Sequence, residues 1–133
     1  DSGAVGVMGT DQKEFQVGDR VVSEQIVPCG QCRFCQTGRY WMCQKHDLYG
    51  FQNNVNGGMA QYMRYPHQGR KYEIPKDMPL EQALLIEPYG CSKHCVDRAK
   101  ITNEDVVVLS GAGTLGLGMV GAIRKKNPDL FIV

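Results

Sequence analysis

No apolar run in these 133 residues approaches the eighteen or so that a membrane-spanning helix needs. The opening Asp1-Ser2-Gly3 has neither the charged nor the apolar region of a secretory leader. Charge of one sign is also lacking. Lys and Arg number 15 against 14 Asp and Glu, for a net charge of +1, and no basic run is present, so there is no electrostatic footprint for nucleic acid or for an anionic membrane. The expected partners are therefore small molecules and further copies of the same chain, in a homo-oligomer. Repeats and low-complexity tracts are missing as well, which excludes solenoids and linkers. An initiating Met is absent, and the chain stops in the apolar Leu130-Phe131-Ile132-Val133, so both ends are expected to be cut from a longer protein. The remaining composition, 42% hydrophobic and 22% charged, is ordinary for a soluble globular chain.

Cysteine is concentrated in one place. Four of the six fall within fifteen residues, Cys29, Cys32, Cys35 and Cys43, spaced C-x2-C-x2-C-x7-C. That spacing lets four thiolates converge on one tetrahedral ion while the backbone turns at Gly30 and Gly38, the pattern of a closed structural zinc lobe. Cysteines three apart do not readily meet disulfide geometry with each other. Reduced thiols serving a metal fit a cytoplasmic protein. An iron-sulfur site is the rival reading, because C-x2-C-x2-C also opens bacterial ferredoxin runs. Those continue with three residues and Cys-Pro, whereas here seven residues intervene and Gln44 follows the last cysteine.

Along the rest of the chain, the glycines of residues 2–10 suit a barrel strand in close contact with its neighbours. Gly18-Asp19 signals a turn, followed by a strand carrying Val21, Val22, Ile26 and Val27 into Pro28 and the cysteine loop. Residues 57–65 read as a turn and a strand, with Met59, Gln61 and Met63 on one face and Ala60, Tyr62 and Arg64 on the other. Short strands punctuated by Gly and Pro fit a small irregular barrel. From Pro79 the pattern becomes helical, with an apolar set at Leu80, Ala83 and Leu84, and a second helix is expected from Pro88. On it Cys91, His94 and Cys95 share a face, which reads as a buried face packing against a neighbouring domain rather than as a ligand set. Residues 106–110 form a continuous apolar run of the kind buried on both sides of a sheet. These signals give a mixed fold in two parts, residues 1–87 and 88–133.

Two stretches carry chemistry. Gly111-Ala112-Gly113-Thr114-Leu115-Gly116 is a G-x-G-x-x-G between a strand and a helix. Its first glycine permits the turn, its second lets backbone approach a pyrophosphate, and its third packs helix on strand. It predicts a nicotinamide dinucleotide, NAD or NADP, held by these six residues. The acidic residue that would discriminate between the two cofactors is not identified, since Asp129 precedes the second strand. Gly118 and Gly121 each cost a helix about 1 kcal/mol relative to alanine, which predicts a close approach of this helix to the sheet. The second stretch is Glu87-Pro88. A carboxylate opening a helix either satisfies the helix terminus or serves a site, and the residues alone leave both readings open.

The cysteine spacing after Gly18-Asp19-Arg20-Val21-Val22, together with Glu87-Pro88 and the glycine turn, resembles the zinc-containing medium-chain alcohol and polyol dehydrogenases. Gly3 and Gly9 match that family's glycine spacing after a Gly-His-Glu motif, placing the motif before residue 1; Gln12 departs from the pattern. Ser92-Lys93-His94 and Asp97-Arg98 are similar to the sorbitol, threitol or erythritol, and threonine dehydrogenase branch. The resemblance implies that residues 1–87 are part of a GroES-like catalytic barrel with a structural zinc lobe. Residues 88–133 would then be a connecting helix and the first βαβ unit of a Rossmann domain. It also implies an enzyme that passes a hydride from a polyol or secondary alcohol to NAD(P)+. Glu87 would be a direct or water-mediated ligand of a second, catalytic zinc whose Cys and His ligands lie outside the chain, and Tyr49 and Phe51 would line the substrate pocket, against the plain reading of aromatic core packing. The 133 residues by themselves are then expected to be inactive and, with open sheet edges, to depend on further chain for folding. A zinc-stabilised nucleotide-binding module without catalysis is the alternative.

Overall fold

The computed structural model describes residues 5–7, 15–51 and 55–133, the first three as backbone. The expectations at Gly3, Gly9 and Gln12 lie outside the described residues. Two compact units divide the chain, Asp1–Leu84 and Leu85–Val133.

In the first unit, β1 (Val5–Val7), β2 (Arg20–Ser23) and β5 (Lys71–Glu73) form an antiparallel sheet in the order β1-β2-β5. Val22 faces Val5 on one side and Tyr72 on the other. Valines at successive positions suit this central strand because both of its faces are covered, and Val21 and Val22 are buried. The run expected as one strand is two. It breaks at Glu24-Gln25, where the Glu24 N–H turns to the Arg70 carbonyl, and β3 (Ile26–Val27) pairs instead with β4 (Asp47–Leu48). Between these strands run the short helix α1 (Arg33–Gln36) and a single 3-10 turn, Tyr40–Met42. Arg20 has a role the sequence did not disclose. Its Nη2 donates to the carbonyls of Pro75, Lys76 and Met78 at 2.7, 3.1 and 2.7 Å, tying the turn after β5 back to β2. Nη2 has two N–H bonds, so the three carbonyls share them, one hydrogen being bifurcated, and the charge on the guanidinium strengthens each contact.

Residues 57–65 do not form the expected strand. They run as bends and irregular chain, although the alternation survives in part: Met63 and Tyr65 pack on the core while Met59 and Tyr62 are exposed. Side-chain alternation records which residues meet the core; a strand also requires a neighbouring backbone to satisfy its ladder, and none pairs here among the described residues.

In the second unit, α3 (Ile86–Ala99) follows the short α2 (Leu80–Ala83) that ends the first unit. The second helix therefore begins at Ile86, two residues before Pro88. Proline is tolerated there because N–H groups of a first turn have no intrahelical acceptor. Next come β6 (Val106–Val107), α4 (Thr114–Lys126) and β7 (Phe131–Ile132). β6 and β7 pair in parallel, Val106 with Phe131 and Val107 with Ile132, and bonds from Leu109 N–H to Val133 O and from Val133 N–H to Val107 O continue the ladder. Val96, Ile123 and Leu130 form the core, with Ile101, Val107, Met119 and Ile132 around it.

Three expectations meet the structure here. Within this chain the 106–110 run is covered on one face only, leaving the uncovered apolar face expected of a lone parallel pair: Val107 meets the core while Val106 and Val108 are 64% and 75% exposed. Cys91, His94 and Cys95 lie on an exposed face of α3, because Ser92 and Val96 are the residues turned inward. Gly118 makes a close approach to α3 rather than to the sheet. A Cβ there would stand 2.6 Å from Ser92 Oγ and 2.8 Å from Tyr89 Cδ1, whereas one at Gly121 would meet nothing within 4 Å. Gly118→Val is expected to lower stability by about 1–3 kcal/mol through overpacking. Gly121→Ala is expected to raise it by up to about 1 kcal/mol through helix propensity. Thermal unfolding of the two variants side by side checks both.

Candidate metal centre and phosphate-binding turn

The cysteine lobe leaves the body of the first unit at Val27 and re-enters it at Asp47, and these two residues face each other in the β3–β4 ladder. The strand pair therefore clamps both ends of the loop. Within it, Gly30 and Gly38 have φ of +72° and +79°, the left-handed region that a side chain disfavours, so the chain reverses twice over a short span. The Thr37 hydroxyl accompanies the end of α1, donating to the carbonyls of Arg33 and Phe34. The Arg33 guanidinium lies 4.6 Å from the centre of the Phe34 ring and that of Arg39 5.8 Å.

These turns bring all four cysteines together. Their sulfurs lie within 4.8 Å of one another, with Cys29 and Cys35 at 4.0 Å and Cys32 and Cys35 at 3.5 Å. A disulfide needs about 2 Å, and none is formed. Around a tetrahedral ion with metal–sulfur bonds of about 2.3 Å, adjacent sulfurs stand about 3.8 Å apart, so these separations suit four thiolates sharing one ion. Backbone N–H groups already point at the sulfurs: Cys32 and Gln31 donate to Cys29 Sγ at 3.4 and 3.5 Å, and Cys29 donates to Cys43 Sγ at 3.3 Å.

Electrostatics set these thiols apart. Backbone N–H groups of Gln44 and Cys35 draw the Cys32 thiol down to about 6. At Cys43 burial opposes ionisation, but N–H groups of Cys29, His46 and Lys45 outweigh it and the thiol is lowered. Cys35 is pushed up to about 12, first by burial and then by the sulfurs of Cys32, Cys43 and Cys29. The cluster thus favours anionic sulfur at Cys32 while Cys35 retains its proton, an arrangement that a divalent cation relieves by displacing that proton.

Residues outside the loop anchor it, and the sequence reading missed them. The Tyr40 hydroxyl donates to Glu24 Oε2 at 3.2 Å, and the Arg70 guanidinium lies 4.2 Å from the Tyr40 ring centre. Lys45 pairs at 2.6 Å with the buried Asp47. The Lys45–Asp47 pair was open to detection from sequence spacing; Tyr40, Glu24 and Arg70, up to 46 positions apart, were not.

In the second unit, the glycine turn lies between β6 and α4 as expected. Gly111 has φ of +105°, and a Cβ on Gly116 would stand 2.1 Å from the Gly111 carbonyl oxygen, so neither position accepts a side chain without rearrangement. Gly113 is the N-cap of α4, with no side chain capping it and no acidic residue in the first turn. Ala112, Thr114 and Leu115 are exposed around it. An uncapped first turn at the positive end of a thirteen-residue helix offers N–H donors to an anion such as phosphate, and the turn fits a dinucleotide's pyrophosphate.

Glu87 is half-buried in the first turn of α3, and Cys91 Sγ, one turn on, donates to its Oε1 at 3.7 Å. Among the described residues it joins no set of three metal-ligating groups. The fully buried Ser92 links this helix to the glycine turn, its hydroxyl engaging the Leu115 carbonyl at 2.9 Å and that of Pro88 at 3.2 Å. Tyr49 and Phe51 are not brought together. Phe51 is 74% exposed, whereas Tyr49 is 6% exposed and packs with Val27 and Val55, edge-on to Tyr65. Burial raises the Tyr49 hydroxyl's pKa, with Ser23 opposing. Ser23 Oγ is committed to the Glu24 and Arg70 carbonyls, and among the described residues Tyr49 Oη finds no acceptor or donor within hydrogen-bond geometry.

Residues 2–76 match the alcohol dehydrogenase GroES-like domain. The chain belongs to that family. Among its relatives, the erythritol/L-threitol dehydrogenase of Mycolicibacterium smegmatis is 53% identical over 112 residues, covering 84% of this chain and 31% of that protein. The L-threonine 3-dehydrogenase of Xanthomonas campestris pv. campestris (strain B100) is 37% identical over 131 residues, covering 98% of this chain and 37% of that protein. A crystal structure of a candidate zinc-binding dehydrogenase from Sinorhizobium meliloti bound to NADP superposes with a TM-score of 0.82 at 27% identity, covering 95% of this chain and 37% of that one. The chain spans about a third of the length of the curated relatives it matches. In this GroES-like chain no helix among the described residues is long and apolar enough to cross a membrane.

Because Cys35 keeps its proton across neutral pH, zinc binding at pH 7 is expected to release at least one proton per ion. Apparent affinity should then rise about tenfold per pH unit between pH 6 and 9. Calorimetry in buffers of different ionisation enthalpy reads the proton count. Cys43→Ser should weaken zinc by more than about 100-fold, beyond the loss that removing an outer hydrogen-bond partner causes.

Proposed function

We propose that this protein is a zinc-dependent oxidoreductase that passes a hydride from a polyol or secondary alcohol to NAD(P)+, leaving a carbonyl product and a proton. The observation that carries the reading is the pairing in one GroES-like chain of a four-sulfur cluster with tetrahedral edge lengths and a side-chain-intolerant glycine turn before an uncapped helix. The 53% identity to an erythritol/L-threitol dehydrogenase supports a polyol as the substrate class. A relative bound to NADP supports a nicotinamide dinucleotide.

In this reading residues 1–87 belong to the catalytic barrel and 88–133 open a Rossmann nucleotide-binding domain. Cys29, Cys32, Cys35 and Cys43 hold a structural zinc, because four protein sulfurs close the coordination sphere and leave no position for substrate. The ion cross-links a loop that has α1 as its only α-helix and no core of its own, so it stands in for hydrophobic burial. Backbone N–H groups around Gly113, Thr114 and Leu115 hold the pyrophosphate, with Gly111 and Gly116 keeping the approach open. A second, catalytic zinc, when bound, would supply Lewis acidity at the substrate oxygen. Glu87 contributes a carboxylate to that centre from the first turn of α3. Tyr49 and Phe51 line the substrate pocket in this reading, Phe51 with an exposed ring. The protein works in the cytoplasm as a homo-oligomer.

The full-length protein that contains this chain is expected to reduce NAD+ or NADP+ with at least one member of a panel of erythritol, threitol, sorbitol and secondary alcohols, and to lose that activity on prolonged chelation. Gly116→Val should raise the dissociation constant for the reduced cofactor at least tenfold, read by nicotinamide fluorescence. A protein that binds zinc stoichiometrically but no pyridine nucleotide would overturn the proposal.

A further inference from the structure

The exposed face of α3 carries a stripe, Glu87, Cys91 and Cys95, at successive intervals of four residues. Residues four apart on a helix are neighbours, so each thiol of the stripe lies over the turn that precedes it. The two thiols are nevertheless not equivalent. Cys91 Sγ donates to Glu87 Oε1 at 3.7 Å, the long separation usual for a weak sulfur donor, whereas Cys95 lies one turn further from the carboxylate.

We infer that Cys91 is a positioning residue for Glu87, its thiol fixing one carboxylate oxygen on the helix side so that the other is presented away from the helix. The inference rests on the reading of Glu87 as part of the reaction centre. Glutamate at the start of a helix has three side-chain torsions, and a single acceptor bond to the next turn restricts them at little cost. Without the thiol, the carboxylate would spread among rotamers and spend less time in the productive one, a loss expressed in turnover rather than in folding. Ser92, next in sequence, supports this geometry from the buried side. Its hydroxyl bonds to the Pro88 carbonyl and to Leu115, fixing the backbone turn on which Glu87 sits. The neighbours therefore divide the work: Ser92 holds the backbone and Cys91 the carboxylate.

Two measurements on the zinc-loaded, full-length protein test the inference. The first does not depend on activity. Alkylation of individual cysteines by iodoacetamide, followed by peptide mass spectrometry, should show Cys91 reacting several-fold faster in Glu87→Gln than in the wild type, because the sulfur is no longer held in a hydrogen bond to a charged acceptor. The Cys95 rate should be unchanged. The second is kinetic. Cys91→Ala should lower kcat about 3–10-fold with KM for the alcohol nearly constant, and Cys91→Ser, which restores a donor, should recover the rate to within about twofold. Cys95→Ala should match the wild type. An unchanged Cys91 alkylation rate in Glu87→Gln, or wild-type kcat in Cys91→Ala, would overturn the inference while leaving the dehydrogenase reading intact. A wild-type protein inactive on every alcohol would overturn that reading itself, and with it the catalytic purpose assigned to the pair.

Discussion

Four sulfur atoms within 4.8 Å of one another are a difficult arrangement for a protein to hold, because any two that ionise repel at short range. The first unit meets that difficulty with backbone. N–H groups of Gln31, Cys32 and Cys29 are aimed at sulfur, and Cys35 keeps its proton first because it is buried and then because the other sulfurs surround it. Everything else about the lobe serves this convergence. The β3–β4 ladder closes its base, left-handed glycines fold its chain back, and Tyr40 with Arg70 and Glu24 fastens it to the rest of the unit.

The second unit solves a different problem with similar economy. Its functional turn must expose backbone N–H groups, so side chains are kept out of the way. Gly116 packs against the Gly111 carbonyl, Gly113 caps α4 without a side chain, and Gly118 lets α4 meet α3 at Ser92. That contact makes the Glu87 helix and the glycine turn one rigid piece, since the Ser92 hydroxyl reaches both Pro88 and Leu115. Glycines that weaken an isolated helix thus increase the precision of the packed one.

Local signals were read well and pairings less well. The cysteine spacing, the glycine turn, the parallel strands on either side of α4, and the turns at Gly30 and Gly38 were all visible in the chain, because each depends on residues a few positions apart. Residues 57–65 show the opposite case. Their alternation of Met63 and Tyr65 inward with Tyr62 outward was real, but a strand is defined by a partner that alternation does not supply. The α3 start moved from Pro88 to Ile86 for a related reason: proline marks a first turn without saying which residue of that turn it occupies. Cys91, His94 and Cys95 share a helix face expected to meet a neighbouring domain, and within their own unit Ser92 and Val96 turn inward instead, the small polar serine being acceptable in the core because carbonyls meet its hydroxyl.

By itself, then, the chain's order of residues determined that four sulfurs would meet and that a glycine turn would open a helix, since both follow from spacing and from φ values few residues tolerate. Tertiary structure alone decided what holds these features in place. The Arg20 latch on the turn at Pro75 to Met78, the Tyr40–Glu24–Arg70 anchor and the burial of Tyr49 away from the exposed Phe51 each join residues that only folding brings near. The physical reason is range. Backbone conformation and loop closure act along a few residues, whereas a guanidinium finding three carbonyls or a hydroxyl finding a carboxylate depends on the position of the whole unit.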